Sequence, residues 1–147
     1  RVTIKVALRP PARRPPIDLA GDWNLTFFRD TAAQDRPIAT ATITIGAGQE
    51  ARLGVFYSAT VSLDYRLIGS PSEFAAEFPD FAPGPVEPNV PVHAAGDSVT
   101  IHLTPRIFDA GWTFHGTVHG TEVEGTWCEH DFSHACTRRG IARLTRR

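Results

Sequence analysis

The sequence contains no methionine and only two cysteines. It begins at Arg1 rather than at an initiator residue, as a trimmed precursor does, and removal of an export signal is the trimming that we expect. The two cysteines lie close together, at Cys128 and Cys136, which fits an oxidising compartment. These features predict an extracytoplasmic protein, either periplasmic or secreted.

The sequence also lacks a strong charge of either sign and any long apolar run. Its 15 basic and 16 acidic residues leave a net charge of -1, so no overall attraction to nucleic acid is expected. No stretch approaches the ~20 apolar residues of a transmembrane helix. Nucleophile-elbow, Walker and dinucleotide motifs are missing as well. We therefore expect no enzyme, no cofactor and no nucleic-acid partner.

What the sequence does contain is a series of short segments in which apolar and polar residues alternate. The first, at 19–30, places Trp23, Leu25 and Phe27 on one face, and such a period of two is typical of half-buried strands. Further segments of this kind lie at 38–46, 53–67, 98–108, 112–118, 121–127 and 137–145. Together they predict an all-β domain over residues 19–147.

Segment 53–67 is long for one strand of a small barrel, at ~3.3 Å per residue. We expect it to bend sharply or to break near Ser58–Thr60. The count is then about eight antiparallel strands joined mostly by short turns. That pattern predicts an up-and-down barrel, with a β-sandwich as the alternative.

An arm of residues 1–18 precedes this domain. Its first eight residues alternate as a short strand does, and the proline-rich stretch at 10–16 favours an extended polyproline conformation. The arm either folds back onto its own barrel or adds to the sheet edge of another protein.

A capping box at Ser70–Glu73 predicts one short helix, which Pro79 ends. Residues 79–97 then contain five prolines and no periodicity, which predicts a long loop that either links strands over the surface or contacts a partner. The residues expected to bind a partner come from the arm and this loop: Val2, Ile4, Val6, Leu8, Arg9, Arg13, Arg14, Phe81, Val86 and Val90.

The stretch from Cys128 to Cys136 combines both cysteines with two histidines. Cys128, His130, His134 and Cys136 offer the four ligands of a tetrahedral zinc site, although their spacing is not a usual one for structural zinc. Both cysteines flank a loop between adjacent strands, which favours a disulfide worth ~2–3 kcal/mol. The zinc site and a pair of free thiols remain alternatives.

Three features resemble the calycin superfamily, and lipocalins in particular. They are Gly21-Asp22-Trp23 at the start of the first strand, the hairpin G-T-V-H-G-T-E-V-E-G-T-W at 116–127, and an arginine-rich last strand. The resemblance implies that Trp23 closes the barrel floor beneath an arginine of the last strand, for which Arg143 is the best match and Arg138 and Arg139 are rivals. It also implies a cavity for small apolar ligands. Leu63-Asp64-Tyr65 matches the family's second motif only faintly.

Two functions follow from these patterns. The first is a non-enzymatic interaction or scaffold subunit that docks through the arm and the 79–97 loop onto a larger complex, which would bring it to a membrane surface if that complex lies there. The second is a carrier of a small apolar ligand. The aromatic residues that would line its cavity, or fill it as core, are Trp23, Phe27, Tyr57, Tyr65, Trp112, Phe114 and Trp127.

Overall fold

The computed structural model describes residues 14–29, 37–64, 87–103, 111–131, 133 and 135–147. Several predictions from the sequence fall outside these residues. They concern the arm strand with Val2, Ile4, Val6, Leu8, Arg9 and Arg13, the helix after Ser70, and the residues Tyr65, Phe81, Val86 and His134. The described part contains no helix, and so none that is long and apolar enough to cross a membrane.

The described residues include nine strands. They are β1 (Gly21–Phe28), β2 (Pro37–Ile45), β3 (Gln49–Ala51), β4 (Gly54–Asp64), β5 (Glu87–Ala95), β6 (Ser98–His102), β7 (Gly111–His119), β8 (Glu122–His130) and β9 (Cys136–Arg146).

The strands form one antiparallel sheet that closes on itself. Pairing runs β2-β1-β9-β8-β7-β6-β5-β4-β3, and β2 also pairs with β4, so eight strands close into a barrel while β3 is a short extra strand on β4. Closure satisfies the backbone of both would-be edge strands. The prediction of an eight-stranded up-and-down barrel is confirmed, and the sandwich alternative is wrong.

The predicted loop at 79–97 is wrong in its second half, because Glu87–Ala95 is strand β5. Its pairing with β4 shifts register between Ala59 and Val61, where Asn89 adopts a positive φ of 58°. A bulge of this kind breaks the period of two by which strands are recognised in a sequence. Pro88 and Pro91 are tolerated because the β5–β6 ladder begins only at Val92.

Strand β4 is continuous from Gly54 to Asp64 and is not broken near Ser58–Thr60. The register shift against β5 lies at this point of the strand, and the extra residue of the bulge is on β5. The sequence count of eight strands therefore combined one false break with one missed strand.

The inward side chains of the barrel form a single buried core. Six of the seven aromatic residues predicted to line a cavity or to fill the interior belong to this core: Trp23, Phe27, Tyr57, Trp112, Phe114 and Trp127. All six are buried, as either of the two roles foreseen for them requires.

The two ends of the barrel differ in their connections. At one end, here called the turn end, strands are joined by 46–48, by 52–53, by Gly96–Asp97 and by Gly120–Thr121. At the other, the loop end, the connections are 29–36, 65–86, 103–110 and 131–135. Residues 14–20 lead into β1 at the turn end.

Candidate functional site

At the turn end, Arg146 and Trp23 lie opposite each other on β9 and β1. The Arg146 guanidinium sits over the Trp23 ring at 4.1 Å from its centroid. It also donates hydrogen bonds to the backbone carbonyls of Ala20 (3.0 Å) and Asp18 (2.6 Å). The Trp23 indole donates to the Leu19 carbonyl at 2.7 Å, so both side chains hold the segment that leads into the barrel.

The arginine expected over Trp23 was Arg143, and that prediction is wrong. Arg143 lies opposite Thr26 and places its guanidinium 5.6 Å from the Phe28 ring centroid. Residues 143 and 146 differ by an odd number, so they face opposite sides of β9. Of the two rivals, Arg139 is exposed and Arg138 pairs with Glu129 at the loop end.

A cleft of about 380 Å³ opens at the turn end, beside the contact between Arg146 and Trp23. One wall is the segment 14–18, here called the strap, and the other is the β2–β4 turn region with the inner face of β4. The residues that line this strap cleft are Arg14, Pro15, Pro16, Ile17, Asp18, Gly48, Val55 and Tyr57. Arg14 bridges the two walls with an ion pair of 2.5 Å between its Nε and Oε1 of Glu50.

Tyr57 provides a polar group at the floor of the strap cleft. Its hydroxyl accepts a hydrogen bond from the Leu19 N–H at 3.4 Å. Burial raises the pKa of Tyr57 above its usual 10.0, the hydrogen bond from the Leu19 N–H lowers it by a smaller amount, and the neighbouring Asp18 carboxylate raises it further. The phenol is therefore neutral at physiological pH.

At the loop end, the barrel holds an ion pair on its inward face. Glu129 and Arg138 lie opposite each other on β8 and β9. They are on the same inward face of these strands as Trp127 and Gly140. Arg138 donates through Nε to Oε2 of Glu129 at 3.0 Å, and its Nη2 contacts the same oxygen. The Glu129 side chain is only 12% exposed, against 36% for Arg138.

Two stacked tryptophans lie beneath this ion pair. The Trp112 and Trp127 rings are 4.7 Å apart and inclined by 15°. Trp112 lies opposite Glu129, while the Trp127 indole donates to the Phe28 carbonyl at 2.8 Å. A side chain at Gly140 would collide with both that carbonyl and the Trp127 ring, so glycine is what allows the indole to lie there.

The sequence pattern did not single out Glu129 and Arg138 as a pair. Arg138 was considered only as a rival of Arg143 for the place over Trp23. The signal was available in the alternation of β8, because Val123, Trp127 and Glu129 are separated by even numbers and so share a face.

The cysteines at the β8–β9 connection form a disulfide. Cys128 and Cys136 are bonded with a Cα–Cα distance of 5.7 Å, which confirms the disulfide prediction. Sulfurs bonded to each other are not thiolate ligands, so the zinc site that used Cys128, His130, His134 and Cys136 is wrong. Free thiols at these positions are wrong for the same reason.

Three histidines lie on β6, β7 and β8 near the loop end. The His115 Nδ1 is 3.1 Å from the hydroxyl oxygen of Thr100. Partial burial lowers the pKa of His115, and the charges of His102 and His130 lower it further. Among the described residues no group of three or more metal-ligating side chains is placed to hold an ion.

Only two residues of the predicted partner-binding set are described. Arg14 is exposed and paired with Glu50 of its own barrel. Val90 is fully buried in the core, so its prediction as a partner contact is wrong. It belongs to strand β5, whose alternate side chains point into the barrel.

Comparison with known proteins finds no matching family model, no similar curated protein and no similar solved structure. Function is therefore inferred from the barrel's own residues.

Proposed function

We propose that this protein is a non-enzymatic, extracytoplasmic docking subunit. Its barrel acts as a rigid body, and the arm before Arg14 together with the 65–86 connection attaches it to a larger complex. The observation that carries this proposal is the single buried core, to which six of the aromatic residues expected to line a cavity or to fill the interior belong. An eight-stranded barrel is just wide enough for side chains to fill it, which favours docking over carriage.

Contacts at both ends support the rigid-body role. Arg146 and Trp23 hold the turn end, and the Cys128–Cys136 disulfide ties β8 to β9 at the loop end. A disulfide also supports an oxidising compartment. The Trp23–Arg146 contact supports a calycin-like assignment, with Arg146 in the place first given to Arg143.

The two attachments leave the barrel at opposite ends. Arg14 lies at the turn end beside Glu50, whereas β4 ends and β5 begins at the loop end. Fully extended, residues 1–13 would span about 43 Å. The eleven residues of β4 span about 36 Å. A partner that engages both attachments would therefore lie along the length of the barrel.

A carrier is the second candidate, and one observation favours it. Glu129 and Arg138 place charged groups inside the loop end of an otherwise apolar barrel, next to Trp112. A few polar groups in an apolar lining are typical of small-molecule sites, where they orient the ligand. A ligand that enters from the loop end would meet Arg138 first, because its side chain is the more exposed of the pair.

The docking proposal can be tested through Lys5, the only lysine in the sequence. A photo-activatable cross-linker coupled to amines will label the arm and no other lysine. We expect a cross-linked partner to be recovered from the native extract with the full chain. Deleting residues 1–13 should abolish its co-purification, while the barrel keeps its thermal unfolding midpoint because the strap begins at Arg14.

A second variant tests the connection, with residues 79–86 replaced by a Gly/Ser segment of the same length. Undiminished recovery of the partner with both variants would contradict the docking proposal. A small molecule that co-purifies in stoichiometric amount, and is lost when Arg138 is replaced by alanine, would favour the carrier instead.

A further inference from the structure

We propose that the strap cleft is a preformed binding site for a small amphiphile with an acidic head group. This site is separate from residues 1–13 of the arm and from the loop end, and it lies where the strap crosses the core residues Val55 and Tyr57 at the turn end. The site can therefore exist whether or not the docking proposal is correct.

The strap is held on both sides of the cleft. On the barrel side, Arg146 donates to the carbonyl of Asp18, and the fully buried Leu19 anchors the chain in the core. On the far side, Arg14 reaches across to Glu50. Between these points Pro15 and Pro16 have fixed φ angles, so little conformational entropy remains to be lost on binding.

Apolar side chains lie on two sides of the cleft. Pro15, Pro16 and Ile17 form one side, and Val55 lies opposite them above the Tyr57 ring. Gly48 completes the turn-region wall with bare backbone. A Cβ there would lie 2.6 Å from Cγ1 of Val55 and 2.7 Å from Cε1 of Tyr57, so any side chain would press on the floor of the site.

Among the described residues that line the cleft, Arg14 is the one cation, and it is the group that can bind an acidic ligand. The Asp18 carboxylate already accepts a hydrogen bond from the Ala20 N–H at 3.0 Å and lies beside the Tyr57 hydroxyl. Arg14, in contrast, is 75% exposed and its partner Glu50 is 59% exposed. So exposed a pair contributes little stability, and a guanidinium has five N–H donors, so Arg14 can bind a ligand carboxylate, sulfonate or phosphate.

The volume limits the size of the ligand. A cleft of about 380 Å³ lies at the small end of ligand sites, which range over roughly 300–1,000 Å³. It suits a two-ring aromatic acid or a short branched acid rather than a long lipid chain. The apolar body would lie between the strap prolines and Val55, with its acidic group at Arg14.

The test uses two fluorescent probes that differ by one sulfonate group. They are 8-anilinonaphthalene-1-sulfonate and its neutral analogue N-phenyl-1-naphthylamine, titrated into the full chain. Arg14→Ala should weaken sulfonate binding about tenfold, the effect of losing one charge-assisted hydrogen bond, and leave binding of the neutral probe unchanged. Arg14→Lys should retain most of the sulfonate affinity.

Arg147→Ala is the matched control. Arg147 also lies at the turn end, pairs with an acid (Asp22, 3.8 Å) and does not line the cleft, so its loss should change neither affinity. The amide resonances of Gly48 and Val55 should shift when the sulfonate probe is added. Equal sulfonate affinity in Arg14→Ala and the unaltered chain would overturn the proposal, and so would a loss of both probes, which would make Arg14 merely structural.

Discussion

The guanidinium of Arg146 lies 4.1 Å from the ring centroid of Trp23, and the two residues stand opposite each other where the last strand pairs with the first. This contact joins the two chain ends of the barrel. It combines a cation–π interaction with two hydrogen bonds to the strap side, at Ala20 and Asp18. The closure of the turn end therefore depends on one side chain near the end of the sequence.

Replacing Arg146 by alanine should destabilise the barrel by about 2–3 kcal/mol, since it removes the cation–π contact and both hydrogen bonds. Arg143→Ala is the control, because its guanidinium lies farther from a ring and its 3.6 Å pair with Glu124 is exposed. That change should cost less than about 1 kcal/mol. Urea unfolding measures both, and equal losses would contradict the role given to Arg146.

Gly140→Ala should destabilise the barrel more than Gly120→Ala. At position 140 a Cβ collides with the Phe28 carbonyl and the Trp127 indole, whereas at 120 it meets nothing within 4 Å. We expect a loss of at least about 2 kcal/mol for Gly140→Ala. Gly120 has a φ of +63°, so its replacement should cost only about 1 kcal/mol of backbone strain. The near-ultraviolet circular dichroism of the stacked tryptophans should change in the first variant alone.

The stability effects of replacing Glu129 and Arg138, the inward ion pair, should be strongly coupled. Glu129→Ala alone leaves the half-buried Arg138 without its carboxylate, so it should cost more than the double change of Glu129 and Arg138 to alanine. We expect a coupling energy of about 1–3 kcal/mol from the double-mutant cycle, measured by chemical denaturation. Additive single effects would show that the pair does not stabilise the barrel.

Replacing both cysteines by serine should lower the free energy of unfolding by about 2–3 kcal/mol, because the Cys128–Cys136 link constrains a short loop of the unfolded chain. The barrel should still form, since the disulfide lies at its rim and the core does not depend on it. The native chain should show no reactive thiol before reduction. Two free thiols in the native protein would refute the assignment.

Tyr57 should ionise only above the usual phenol pKa of 10.0, because burial opposes its charged form. The sequence has two tyrosines, so Tyr65→Phe leaves Tyr57 as the only phenol in an ultraviolet titration. Since the folded-state pKa is raised, the stabilising contribution is fully present below pH 10 and is lost as pH rises through the folded value. A midpoint at or below 10 would contradict the buried placement.

Much of the fold could be predicted because strand alternation is local. The period of two located β1, β2 and β7–β9, and their number and short turns pointed to a closed barrel. Strand β5 was missed because its bulge at Asn89 and its two prolines interrupt that period. The disulfide was foreseen because both cysteines flank one hairpin.

Which side chains share a face, and with that the all-β barrel and its apolar interior, follows from the alternation of residues along the chain, because alternation is set by the geometry of the extended backbone. The residues that meet across strands depend on how the strands pair, which alternation does not encode. Register places Arg146, rather than Arg143, on Trp23, pairs Glu129 with Arg138 inside the barrel, and buries Val90. The strap cleft likewise arises where residues 14–18 cross the turn end, and no local pattern encodes that crossing.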